Sequence, residues 1–276
     1  MGSRRVPPPA TRRPRALNAY LEHDRAVAGT FDEQLTFVVD QWRTVHASGG
    51  VCAINASSND HVDTVNAAVQ SARLAAAEVE GGRVAQIGGS EHAYIGDVVV
   101  TRRNDRHLTT DLGEPVRNRE SWTVVGISDD GTLTVSSNGG AGRADLPAEY
   151  AREYVRLGYA ATEHGIQGDT TTVSVELVSE ATTRRGLYVG ASRGHERNII
   201  AVITESHDLE EARDILERVL ANERRPARHR PTPPTRRRSP AGHAGATPTR
   251  AEVRSARVVR RTRRLDRRQR PEAGGD

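Results

Sequence analysis

The chain has 276 residues and 40 basic side chains against 36 acidic ones. Every basic one of them is arginine, which excludes a phosphate-binding loop of the G-x-x-x-x-G-K-[ST] kind, because that loop needs a lysine to reach the β- and γ-phosphates. A single Cys52 excludes an internal disulfide framework.

Charge is segregated along the chain. Residues 1–15 carry five arginines and no acid, and residues 224–276 carry 17 arginines against 4 acids. The stretch between them, 16–223, carries 18 arginines against 32 acids. The tail is thus the expected nucleic-acid surface and the acidic body a poor one. There is no run of 18 apolar residues, and the N-terminus lacks the apolar core of a signal peptide, so a cytoplasmic protein is expected.

In chain order, residues 1–16 are rich in Pro and Arg and read as a disordered arm. Residues 17–28 (LNAYLEHDRAVA) read as helical. Residues 31–48 place Phe31, Leu35, Val38, Val39, Trp42 and Val45 at spacings of three and four, an amphipathic helix that Gly49-Gly50 stops. The apolar run 51–55, a turn-like ASSND and a helix from Asp60 with Val62, Val65, Val69 and Ala72 on one face form the βα half of a parallel-sheet unit. Cys52, inside the apolar run, is expected in the core.

Residues 93–103 read as one strand. Between 111 and 146, WTVV and TLTVS flank the hairpin signal SDDG, and NGGAG makes a second turn, so a small antiparallel β insertion is predicted. Pro147 suits the first turn of a helix over 147–157, where its missing N–H would be unbonded anyway. TTVSVELV (171–178) reads as a strand, RRGLYVGASRG as a helix and NIIAVIT (198–204) as a closing buried strand. An amphipathic helix over 207–223 carries acids in its first turn, which suits its dipole. Residues 224–276 read as a disordered Arg-rich tail.

The chemistry concentrates between Gly158 and Asn198, in H-x-x-Q-G at 164–168 and LYVGASR at 187–193. This stretch resembles the last two signature motifs of superfamily 1 helicases. It is most similar to the helicase part of TraA/TrwC-type conjugative relaxases and to the RecD/UvrD-like enzymes. The likeness spans roughly 30–205 and is specific at 158–198. It departs at Asp169, where an acid stands in place of a small or apolar residue, and at Gly165 and Ile166, where a basic and a small residue are common.

The resemblance implies an α/β fold, the second RecA-like lobe of a motor, with a largely parallel sheet and helices on both faces. It would occupy 17–110 and 147–206, with the insertion at 111–146 as a small barrel and 207–223 as a C-terminal helix. Arg193 falls on the arginine finger, which meets the γ-phosphate and stabilises transition-state charge. Thr162, His164, Gln167, Gly168 and Thr170 fall on the motif that couples the DNA strand to the ATP cleft. Asn66, in a helix-opening position, and Arg102, Arg103 and Asn104, in a GDVVVTRRND element, are candidate nucleic-acid or nucleotide contacts. ATP and Mg²⁺ would bind only if another chain supplied the Walker-bearing first lobe. Single-stranded DNA is the second expected partner, and no membrane is expected. No His/Cys cluster has metal-ligand spacing, and Ser192 has no evident base for hydrolase chemistry.

Three readings of function follow. A separate chain completes an ATP-driven DNA motor; or the chain is a non-catalytic nucleic-acid-binding module acting through its tail; or it is an inactive remnant of a mobile-element gene.

Overall fold

A computed structural model describes Tyr20, His23 and residues 25–162 and 171–221. The order begins with β1 (Ala26–Gly29), α1 (Phe31–Ala47), β2 (Cys52–Ala56) and α2 (Asn59–Ala75). A β-rich stretch follows: β3 (Glu80–Gln86), a 3₁₀ turn (Gly88–Ser90), β4 (His92–Ile95), β5 (Val98–Thr101), β6 (Asp105–Thr109), β7 (Pro115–Val116), β8 (Ser121–Ile127), β9 (Leu133–Ser137) and β10 (Arg143–Leu146). Then come α3 (Ala148–Tyr154), β11 (Val155–Leu157), β12 (Ala160–Thr162), β13 (Thr171–Val178), α4 (Arg184–Gly190), β14 (Gly194–Ile203) and α5 (Leu209–Ala221).

The expected α/β architecture is present. Five strands in the order β1-β14-β13-β2-β12 pair in parallel throughout. α1 and α2 cover one face with Val38, Trp42, Val45, Val62, Val65 and Val69 over Ile54, Val175, Leu177 and Ala201. α5, with Ala212, Ile215, Leu216 and Val219, and α4, with Leu187, cover the other over Val178, Ile200 and Val202. A second sheet, β10-β9-β8-β5-β11, is antiparallel. It encloses Trp122, Leu133, Val135, Leu146 and Val155, all fully buried.

Local chemistry sets the helix limits. Thr30 and Glu33 form a reciprocal capping box at the start of α1, and Gly49 takes a φ of +76° just past its end. Ser58 caps α2, its hydroxyl accepting from the His61 N–H at 3.1 Å.

Four expectations change. The helix predicted over 17–28 gives way, at its end, to the edge strand β1, which pairs with Ile200–Ile203. The strand predicted over 93–103 breaks at Gly96, whose φ of +98° turns β4 into β5. The antiparallel sheet recruits β5 and β11 from either side of 111–146. The helix predicted over 147–157 stops at Tyr154, because residues 155–157 pair with Val99–Thr101, and Pro147 is its N-cap rather than its first turn.

A buried polar joint ties the two sheets together. Asp97 accepts from the Tyr159 hydroxyl at 2.5 Å, the Gln70 amide at 2.5 Å and the Tyr94 N–H at 2.8 Å. Arg73 donates to the Tyr159 hydroxyl at 2.9 Å and the Gly96 carbonyl at 2.8 Å, with its guanidinium over the Trp42 ring. Burial, reinforced by the Asp97 carboxylate, pushes the Tyr159 phenol well above its usual range.

Candidate functional site

Arg193 stands in the turn between α4 and β14, beyond the helix that the sequence predicts to contain it. α4 starts with Thr183, whose hydroxyl accepts from the Gly186 N–H at 2.9 Å, and closes at Ala191. Its last residue, Gly190, presses on the sheet. The Ser174 hydroxyl donates to its carbonyl at 2.7 Å, and a Cβ there would lie 1.7 Å from the buried Glu176 carboxylate. The Arg193 carbonyl then accepts from the Thr171 N–H at 3.1 Å, which fixes the turn at the strand-entry edge of the sheet. The Arg193 side chain is half-buried, its Nε has no hydrogen-bond partner, and no acid among the described residues pairs with it. Tyr188 and Val51, 74% and 61% exposed, belong to the same helix and the same edge.

Asn198 is a residue that sequence reasoning missed. Its side chain accepts from the Gly194 N–H and donates to the Gly194 carbonyl, both at 2.8 Å, clasping the bulge that opens β14. A Cβ on Gly194 would lie 2.1 Å from the Arg197 carbonyl, so this close approach requires glycine. The His195 Nδ1 donates to the Thr171 carbonyl at 2.7 Å. Arg197 lies on β14 opposite Val173 and donates to the Gln41 side chain.

Thr162 lies at the opposite, strand-exit edge, paired with Ala56. The Ser57 and Thr182 hydroxyls meet at 2.6 Å on the same edge. The sheet therefore separates Arg193 from Thr162 by roughly the length of β13, about 25 Å for eight extended residues. His164, Gln167, Gly168 and Thr170 lie outside the described residues.

Asn66 is buried, 1% exposed, and both ends of its amide engage the Ala160 backbone, accepting at 2.8 Å and donating at 3.5 Å. That clamp positions β12 and keeps the Asn66 side chain inside the fold. Arg102, Arg103 and Asn104 link β5 to β6 and are exposed. Arg103 stacks on Tyr154, 4.7 Å from the ring centroid, and the Asn104 carbonyl oxygen accepts from the Asn118 N–H at 2.7 Å. The Arg102 side chain as a whole is exposed, but partial burial of its guanidinium lowers its pKa, with Arg156 and Arg119 lowering it further and Glu91 and Asp63 opposing them. Arg156 is held by Glu91 and Asp63 at 3.0 and 2.8 Å. Among the described residues no group of three or more His, Cys, Asp or Glu side chains could hold a metal ion, and no helix is long and apolar enough to cross a membrane.

No protein-family model matches the chain. Two uncharacterized proteins of Mycobacterium tuberculosis, MT2373 and Rv2311, are each 30% identical to it over 86 residues, 31% of this chain and 49% of theirs. The chain spans about half the length of the curated relatives it matches. Among solved structures it is similar to a Pif1 helicase from Bacteroides in complex with ADP-AlF3 and ssDNA (TM-score 0.40, 15% identity, 66% of this chain and 51% of that one). It is also similar to a Pif1 helicase from Candida albicans (TM-score 0.41, 12% identity, 68% and 56%).

Proposed function

We propose that the chain is the second motor lobe of a superfamily 1 DNA helicase of the relaxase or RecD type, inactive until it is completed by a Walker-bearing lobe. The observation that carries this reading is Arg193: a half-buried guanidinium without an acid partner, in a turn held by the Thr171 N–H, at the end of the LYVGASR string. An arginine finger needs this combination of fixed backbone and unspent charge, because its work is done on charge that develops on a phosphoryl group brought by another lobe. This chain has no lysine for the β- and γ-phosphates. ATP and Mg²⁺ would be held chiefly by the other lobe, and the chemistry they supply is phosphoryl transfer to water. Arg193 would contribute positive charge, and its planar fork pairs two oxygens at once. Single-stranded DNA is the proposed second partner, met by Thr162 and the 163–170 segment, by Arg102 and Arg103, and by the arginine-rich tail.

The test is steady-state ATP hydrolysis by this chain mixed with a Walker-bearing partner lobe. Arg193→Ala is expected to lower DNA-stimulated turnover about 10³–10⁵-fold while the chains still associate, and Arg193→Lys is expected to restore little. Equal turnover for wild type and Arg193→Ala would remove the finger from this reading. The control is the exposed Arg185 on α4, whose replacement by Ala should leave turnover unchanged.

A further inference from the structure

The exit edge of the parallel sheet holds a feature that neither the finger nor the tail explains. After β1 and β2 the chain passes to α1 and α2 on one face, and after β13 and β14 it passes to α4 and α5 on the other. Where connections diverge to opposite faces, an open α/β sheet leaves a crevice outside the ends of its strands, and ligands bind there. Here the crevice is a cleft of about 360 Å³ lined by Phe31, His61, Ser179, Glu180, Ala181 and Ile203.

Its chemistry selects the occupant. Phe31 and His61 stack with ring centroids 5.0 Å apart and planes 28° apart, giving the cleft an aromatic wall. Ile203 and Ala181 add apolar surface. The His61 Nδ1 is shielded from solvent and has no hydrogen-bond partner, so one polar atom of the wall is unspent. The acids near the rim are Asp32 and Glu33 in the first turn of α1, Asp60 in the first turn of α2, and Glu180. Glu180 is held by Arg218 at 3.2 Å, and Glu33 faces His207 at 3.0 Å. With two of the four acids facing a basic side chain, the rim suits a flat ring whose edge donates hydrogen bonds. Aromatic side chains stack on any base, because every base presents a π-face, and a carboxylate accepts from a ring N–H or an exocyclic amine on the base edge.

We propose that this cleft receives a single unpaired nucleobase against the Phe31–His61 rings. With the DNA reading above, the base belongs to the single strand passing Thr162 at the same edge; the alternative source is a free nucleotide. Stacking releases no counterions, so the cleft contributes contact without altering the salt slope that phosphate contacts set.

The experiment uses the full chain and two probes, a single-stranded oligomer of 5-iododeoxyuridine and free 5-iodouridine monophosphate, each irradiated and the adducts mapped by mass spectrometry. The expected result is a strand adduct on Phe31 or His61. It should fall at least about tenfold in both Phe31→Leu, which keeps the apolar volume, and His61→Gln, with the log–log salt slope of strand binding unchanged. Folding of each variant is checked by its thermal transition. Adducts at these residues from the free nucleotide alone would support the base site and detach it from the DNA strand. A strand that binds but cross-links only elsewhere would overturn the cleft and leave the DNA reading standing. Absence of strand binding together with absence of nucleotide adducts would sink both.

Discussion

Gly190 is the residue on which the finger turn depends most directly. A methyl group there would overlap the Glu176 carboxylate, which is 1% exposed and has nowhere to go. Gly190→Ala is therefore expected to lower stability by about 2–3 kcal/mol, in the range of overpacked cores, although alanine is the better helix former. Urea unfolding checks this, and the pairing with Glu176 has a second signature. In a Glu176→Ala background the added methyl should cost almost nothing, whereas an equal cost in both backgrounds would mean that the helix itself objects. None of this was legible in the sequence. A glutamate within TTVSVELV reads as the solvent face of a strand, and only the fold reveals that α4 closes over it. Asn198 escaped for a related reason. Its partner, Gly194, is four residues away along an extended strand, where no periodicity announces a clasp.

At the scale of elements, apolar runs bounded by clear turn signals are legible in the sequence, long or short, and runs without such bounds are not. α1, α2, β13 and β14 follow the spacing of Val, Ile, Leu and Trp, because each buries a continuous stripe. β1 was missed because AVAG is as compatible with a helix as with a strand, and its parallel pairing with β14 decides. The division at Gly96 was hidden inside an apolar run, and the joint behind it uses Arg73 and Asp97, residue types that signal surface in any pattern argument. The Tyr159 hydroxyl is the centre of that joint, with bonds to Asp97, Arg73 and, at 3.4 Å, the Val98 N–H. Tyr159→Phe keeps the ring against Trp42 and leaves buried polar groups short of a partner, so it should cost about 2–3 kcal/mol. Hydrogen exchange locates the damage: protection should fall first in β5 and β12. A uniform loss across all strands would show that the hydroxyl does not join the two sheets.

The whole molecule places opposite charge in different parts of one chain, and this predicts how it holds DNA. Neutralising phosphates on a single strand gives a log–log salt slope near −0.7 per contact, so six contacts from the tail give about −4. Deleting 224–276 should remove most of that slope, leaving the weaker contribution of Arg102, Arg103 and the exit edge. Binding titrations at several salt concentrations measure it, and an unchanged slope in the shortened chain would return the phosphate contacts to the body. The same chain should hydrolyse no ATP by itself, with or without single-stranded DNA. Turnover that co-purifies with the chain through successive columns and is abolished by Arg193→Ala would show that no second lobe is needed.

β13 runs from Thr171, bonded to the carbonyl of Arg193, to Val178, one residue short of the cleft at Ser179, and it is buried for nearly its whole length between two other strands and two helical layers. Its pairing in register with β14 and β2 keeps it from sliding past them, and its close-packed neighbours keep it from bending. In mechanical terms the strand is a strut rather than a spring: it holds the two edges of the sheet at a fixed separation, so a displacement at the entry edge reaches the exit edge only as a movement of the whole sheet.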